Sequence, residues 1–338
     1  MISKLYEKII NFMKKYLYYI LCFVFVLICL VIPLPYYISA GGGTINISDR
    51  ISVSNGYESK GKFQLAYVKQ LQATIPTYLL SYVIPDWQVD SAIYYIVDEH
   101  ETSKDVQARD HLYLDSANST AISVAYKLAG AEFKITDIYN NVMFISPDAD
   151  TNLKIGDIIV GIDGKKIKSV DEYKEYVENS SIGTKINLNI IRDKKEKDAY
   201  IYVKKIDGAK LTGISVLTTY DYETNPDIKV LYKEKESGSS GGFTTALAIY
   251  DRITKEDLTH GLNIVGTGTI DESGKVESIG GVTYKLKGAV KNKADIFFVP
   301  RGENYDDAVA YAKKKKYKIK IVPVATIEDA IDYLEEIK

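Results

Sequence analysis

Residues 16–37 open with YLYYILCFVFVLICLVIPLP, and no Asp, Glu, Lys or Arg occurs from Tyr16 until Asp49. At about 1.5 Å of rise per residue, some 20 apolar residues match the ~30 Å hydrocarbon thickness of a bilayer. A helix buried in a soluble core would show periodic polar positions, and this run has none. Lys4, Lys8, Lys14 and Lys15 precede it against a single acid, Glu7. That bias predicts a cytoplasmic tail over residues 1–15, a single transmembrane helix over 16–37 and an extracytoplasmic remainder, hence a cell-membrane protein. Tyr16, Tyr18, Tyr19, Tyr36 and Tyr37 stand at the two ends, where interfacial aromatics are favoured. The rival reading is a signal peptide cleaved after Ile38-Ser39-Ala40. It is disfavoured because Ile38 is large and the apolar run exceeds an ordinary signal core. Neither cysteine lies in a lipobox-like context.

Both cysteines of the chain, Cys22 and Cys29, fall inside this run. The globular remainder therefore has no intrachain disulfide, no thiol nucleophile and no thiolate metal site. The three histidines, His100, His111 and His260, have no spacing that would pair them on one helix face, so no metal or organic cofactor is expected. A formal net charge of −2, with Lys and Glu interspersed, gives no electrostatic reason for a nucleic-acid partner. No G-x-x-x-x-G-K-[ST] sequence occurs, so no nucleotide site is expected either.

Past the apolar run, Gly41-Gly42-Gly43 predicts a flexible exit, and residues 41–118 read as a small α+β segment. Within it the alternation Lys62 to Val68 predicts a strand, the mixed stretch Thr77 to Val89 holds Trp87, and the polar stretch His100 to His111 reads as a solvated loop or helix. Residues 119–205 are more legible. Ser119 to Leu128 can form a helix, and Val142-Met143-Phe144-Ile145 predicts a strand. Asp163-Gly164 between alternating apolar runs predicts a hairpin. A helix from Val170 to Val177 is capped by Ser169, and a strand from Ile186 to Arg192 turns at Asp193. The string Lys154-Ile155-Gly156-Asp157-Ile158-Ile159 through Ile162-Asp163-Gly164-Lys165, followed by Ser169-Val170-Asp171-Glu172-Tyr173, resembles a bacterial PDZ domain. The resemblance implies a β-sandwich or barrel with helices whose sheet edge accepts an extended peptide. It places the peptide-binding strand near Tyr139 to Phe144, at Asn141, Val142, Met143 and Phe144. A rigid spacer is the bland alternative.

Residues 210–338 read as a separate α/β domain. Strand-like runs occur at Leu211–Thr218, Lys229–Lys233, Gly261–Thr269, Asp295–Val299 and Ile319–Val322. Helical runs occur at Phe243–Ile253, Tyr284–Lys293, Asp306–Lys315 and Ile327–Ile337, the last capped by Thr326 with Asp329. The segment Ser237-Gly238-Ser239-Ser240-Gly241-Gly242-Phe243 precedes a helix. Small residues there would let backbone amides, reinforced by the helix N-terminus, approach a reacting carbonyl. Taken alone, a Ser/Gly run is more often a flexible loop. A histidine-based hydrolase does not fit, because only His260 follows Ser240, and too closely. A serine without a suitable histidine leaves lysine as the base.

Ser240, Thr267 in Val265-Gly266-Thr267-Gly268-Thr269-Ile270, and the run Ile279-Gly280-Gly281-Val282-Thr283-Tyr284-Lys285-Leu286 resemble the catalytic motifs of Lon proteases. Ala294-Asp295-Ile296-Phe297-Phe298-Val299-Pro300 follows in the same order. With an apolar helix and a PDZ-like segment ahead of it, the chain resembles the membrane-anchored PDZ plus Lon-type serine proteases (SepM/YlbL-like). The fold class this implies is α+β and multi-domain: a transmembrane helix, a PDZ domain and a C-terminal Lon-type α/β domain. The resemblance makes Ser240 the nucleophile and Lys285 the general base, with Lys287 a fallback base. It makes Thr267 a supporting hydroxyl and Gly238, Ser239 and Gly241 the oxyanion loop. It further implies an ATP-independent endopeptidase acting on extracytoplasmic peptides or unfolded proteins, among them secreted signal peptides, with the oligomeric state open. The departures are Ser239 in place of proline, Gly241 in place of alanine and Ser237 in place of an aspartate. A catalytically silent PDZ receptor is the alternative class. A carboxyl-terminal processing peptidase, which places its lysine much nearer the serine, fits no motif. The chemistry sets a demand: a lysine at its ordinary pKa of about 10.4 is neutral only ~0.04% of the time at pH 7. Lowering the pKa to about 7 costs ~4.6 kcal/mol of ammonium stabilisation, so Lys285 is expected to be buried without a carboxylate partner.

Overall fold

A computed structural model describes residues 2–92 and 101–337. His100 and the side chains of Lys4 and Glu7 lie outside the described residues. The chain forms two compact units, Met1–Gly41 with Val68–Tyr95 and Gly42–Tyr67 with Ile96–Lys338.

In the first unit, helix α1 spans Ile2–Val31 and contains an apolar stretch, Ile10–Val31, long enough to cross a membrane. It stops short of the expected residue 37. Pro33 and Pro35 cannot continue a helix, and Pro33 pushes Ile32 out of helical geometry. The strand Pro33–Asn46 begins there instead, and its first half pairs antiparallel with Gln88–Ser91, from Tyr36 opposite Ser91 to Ser39 opposite Gln88. Gly41–Gly43 thus lie in a strand rather than a flexible exit. Gly42 is needed for close approach, because a Cβ there would stand 1.9 Å from the Tyr67 carbonyl oxygen. Strand Lys62–Thr74 runs on past the expected Val68 into helix α2, Ile75–Ser81, where Thr74 and Thr77 form a capping box.

In the second unit, Lys62–Leu65 pairs in parallel with Asn263–Gly266. That strand also pairs in parallel with Ile296–Pro300, which in turn pairs with Lys320–Val324. Parallel strands are covered on both faces. Ile264, Phe298 and Phe63 pack with helix α3 (Ser103–Ala129), helix α5 (Gly242–Ile253) and helix α8 (Ile327–Glu336), through Val124, Phe243, Leu247, Ile331 and Leu334. Val265, Phe297 and Val299 pack on the other face with helix α6 (Val282–Lys291) and helix α7 (Glu303–Lys315). As expected, Thr326 caps α8 and accepts from the Asp329 amide, while Asp329 accepts from the Thr326 amide.

The PDZ-like sheet has the antiparallel order Ile214–Asn225, Glu132–Ile145, Ile158–Ile162, Lys185–Arg192, Lys195–Tyr202. Helix α4 (Val170–Asn179), capped by Ser169, closes its core through Tyr173 and Val177 against Val142, Ile159, Ile186 and Leu188. Buried Asp157 accepts from Arg192 Nε and Nη2 at 2.6 Å each and from the Lys154 amide.

The sequence-based boundaries change in two ways. Residues 41–118 are not one segment: strand Lys62–Thr74 belongs to the catalytic candidate's sheet, and their C-terminal part opens α3, which runs unbroken through Ser119. The run expected at Leu211–Thr218 is Ile214–Asn225, and it lies in the PDZ-like sheet, paired along Glu132–Ile145. The PDZ-like part is therefore inserted between two pieces of one parallel sheet.

Candidate active site

Ser240 lies just before α5, whose N-cap is Gly241. Its carbonyl accepts from the Gly268 amide at 2.9 Å and from the Thr267 hydroxyl at 3.2 Å. Thr267 is fully buried just beyond the end of strand Asn263–Gly266, with its amide donating to the Phe298 carbonyl. The serine is thereby held at the C-terminal end of the parallel strands, where open α/β sheets place their sites. Thr267 touches the serine backbone rather than its hydroxyl.

Lys285 is in the first half of α6, between Val282 and Leu286, which pack with Val265 and Phe297 on the sheet. It is only 4% exposed. Burial pushes its ammonium down from 10.5 to about 8, with no charge nearby contributing to that shift. Among the described residues it forms no ion pair, and no hydrogen bond joins Ser240 Oγ to Lys285 Nζ. Lys287, two residues further along α6, sets its ammonium 5.1 Å from the Tyr284 ring and 5.3 Å from the Tyr311 ring.

The oxyanion loop divides. Gly238 has φ +86°, and its amide donates to the Asp110 carbonyl of α3 at 2.9 Å. It shapes the loop and has no amide left for an oxyanion. The amides of Ser240 and Gly241 make no hydrogen bond among the described residues and stand at the positive end of α5. Ser239 contributes its carbonyl to the Gly242 amide at 3.0 Å.

What braces this loop is not legible from its local residues. The Arg50–Glu236 ion pair fixes its start, and Tyr232 donates its hydroxyl to Asp115 of α3 at 2.5 Å. Gly242 packs tightly, since a Cβ there would lie 3.1 Å from Ile270 Cγ2. On the lysine side, Asn304 at the start of α7 accepts from the Ile279 amide at 2.8 Å and donates to the Ile279 carbonyl at 2.9 Å. That staple sets the Gly280-Gly281 entry into α6, where Gly281 takes φ +68°. None of these partners is close in sequence to the group it holds.

The peptide-binding strand expected at Asn141, Val142, Met143 and Phe144 is flanked on both sides at Asn141 and Val142. One side pairs with Ser215–Leu217, and on the other Asn141 pairs with Ile158 while Val142 bonds to Gly156 and Asp157. The Asn141 amide is itself engaged, donating to the carbonyls of Tyr139 and Leu217. The edge strands of this sheet are Ile214–Asn225, which lies beside the expected strand, and Lys195–Tyr202 at the far side. Ile214 and Val216 pack against the core that α4 closes, and Tyr173 of α4 donates its hydroxyl to Thr212 Oγ1 at 2.8 Å.

Two family models match the chain: a PDZ domain at residues 106–203 and the Lon protease (S16) C-terminal proteolytic domain at residues 232–335. The Lon protease of Mesomycoplasma hyopneumoniae (strain 232) is 35% identical over 99 residues, 29% of this chain and 11% of that protein. The Lon protease of Campylobacter concisus (strain 13826) is 32% identical over 157 residues, 46% of this chain and 19% of that protein. The chain therefore spans between 11% and 19% of the length of these relatives. The PDZ domain of an SdrC-like protein from Listeria monocytogenes is 30% identical, covering 25% of this chain and 93% of that one, with a TM-score of 0.23. With a PDZ domain and a Lon-type proteolytic domain in one chain, this protein has the domain pairing of a PDZ plus Lon-type protease family.

Proposed function

We propose that this chain is a membrane-anchored, ATP-independent serine endopeptidase that cuts extracytoplasmic peptides or unfolded segments, with Ser240 as nucleophile and Lys285 as general base. The observation that carries the reading is Lys285: a lysine almost wholly buried, with no anion to hold its proton, in the domain that matches a proteolytic family. Neutral Lys285 takes the proton from Ser240 Oγ as that oxygen attacks the scissile carbonyl. The amides of Ser240 and Gly241 receive the oxyanion. The Lys285 ammonium then protonates the leaving amine, and a water molecule releases the acyl group by the same steps in reverse.

The PDZ domain would dock an extended peptide along the edge strand Ile214–Leu217, beside α4, through main-chain hydrogen bonds. Helix α1 would serve as the anchor. The test is peptide cleavage by the full chain in lipid nanodiscs, compared with Ser240→Ala and Lys285→Ala versions shown by circular dichroism to be folded. Cleavage lost in both variants supports the dyad, and equal activity in all three refutes it. An inert parent that still binds peptides would instead make the chain a PDZ receptor.

A further inference from the structure

After the N-terminal run, the longest stretch without a charged residue is QLQATIPTYLLSYVIP, between Lys69 and Asp86. It forms the end of strand Lys62–Thr74, helix α2 and the turn that leads to Gln88–Ser91. Its apolar side chains are not used to build a core. Leu79, Leu80, Tyr82 and Val83 are exposed, the last two at 74% and 76%. A contiguous exposed apolar tip of this kind marks an interaction surface.

Its position narrows the partner. Tyr36, shortly after the end of α1, packs on Tyr78 of α2 with ring centroids 5.2 Å apart, and Tyr78 packs on Tyr82 at 5.6 Å. The tip therefore sits where the chain leaves the apolar helix, and α2 lies against α1. Its backbone suits a medium without water, since Tyr82 and Val83 donate to the carbonyls of Leu79 and Leu80, and Ser81 Oγ donates to the Tyr78 carbonyl. Aliphatic tips beside tyrosines and the chain's only tryptophan, Trp87, match the chemistry of the bilayer interface.

We propose that Leu79, Leu80, Tyr82 and Val83 insert into the headgroup and upper acyl region of the bilayer, giving this chain a second membrane contact beside α1. The inference rests on α1 being the anchor. A second contact would fix the orientation of the first unit against the membrane plane, which one helix through the bilayer leaves free to swivel.

The test uses the full chain in vesicles with and without lipids brominated near the headgroup. Trp87 reports in the native chain, and a Tyr82→Trp/Trp87→Phe version puts the reporter at the tip. Brominated lipid should remove most of the tip reporter's emission and part of that of Trp87, and adding Leu79→Lys with Val83→Lys should restore it. Flotation of the chain with the vesicles should be unchanged in all versions. A chain that floats while its tip reporter is quenched by aqueous acrylamide and not by brominated lipid overturns the second contact and leaves the anchor standing. A reporter shielded from both quenchers also overturns it, in favour of a second copy at the tip. A chain that does not float overturns the anchor and the contact together.

Discussion

If Lys285 is the base, activity must follow its deprotonation. Its pKa falls from 10.5 to about 8 through burial alone. At about 1.4 kcal/mol per pH unit, that is about 3 kcal/mol against the ammonium form, less than the ~4.6 kcal/mol needed to reach neutrality of half the lysines at pH 7. At pH 7 about a tenth of the chains would hold the neutral amine, against ~0.04% for an ordinary lysine. The expected kcat/KM therefore rises about tenfold per pH unit below 8 and levels off above it. The stability sign is opposite to that of a salt-bridged lysine. Because the folded pKa is depressed, the cost to folding is absent above the unfolded value near 10.5, grows as pH falls, and is fully present below about 8. Lys285→Met should therefore abolish cleavage yet raise neutral-pH stability by up to about 3 kcal/mol, with the gain vanishing toward pH 10.5. Lys285→Arg should be inactive, since a guanidinium keeps its proton. The assay is peptide cleavage from pH 6 to 10 beside thermal unfolding of parent and Lys285→Met across the same range. A flat rate between pH 6 and 8, with Lys285→Met less stable at pH 7, would refute both the burial cost and the base.

Three further perturbations follow from the contacts. Gly288→Ala brings a Cβ to 2.8 Å from the Gly43 carbonyl oxygen, a backbone atom that cannot swing aside; overpacking should cost about 1–3 kcal/mol, read as a lower thermal midpoint. Asn304→Ala leaves the Ile279 amide and carbonyl without their partner. It should cost about 1–3 kcal/mol and lower kcat more than it raises KM, because it loosens the entry to α6 rather than the substrate surface. Asp157→Ala strips the buried partner from Arg192 and should cost about 3–5 kcal/mol. Loss of peptide binding together with retained cleavage of short unstructured substrates would separate the PDZ part from the chemistry.

Features carried by local chemistry were legible in the sequence. Asp163-Gly164 marks its turn, Ser169 and Thr326 cap their helices, and Val282 and Leu286 on either side of Lys285 foretell its burial. What escaped depends on pairings between distant residues. Lys62–Leu65 alternates like many strands, and nothing local says that its neighbour is Asn263–Gly266. Val142–Ile145 and Ile214–Leu217 are both short apolar runs, so which is the edge and which is flanked on both sides is decided only by assembly. The loop braces Arg50, Asp110 and Asp115 are ordinary charged residues, and only their contacts with Glu236, Gly238 and Tyr232 distinguish them.

The insertion of the PDZ part within the parallel sheet sets an order of events during synthesis. Strand Lys62–Thr74 is flanked on one side by the earlier strand Pro33–Asn46, but its partner on the other side, Asn263–Gly266, emerges long after it, and Ile296–Pro300 and Lys320–Val324 later still. The intervening antiparallel domain has its own core and can close while the ribosome is still at work. Until then the early strand waits with an unpaired edge, a hazard for pairing with other chains. Closing the sheet then means joining ends separated by a domain that has already folded and shortened the gap, so the loop-closure cost is smaller than the sequence separation implies. A destabilised PDZ part should therefore slow maturation of the proteolytic domain, even where no residue of the site has changed.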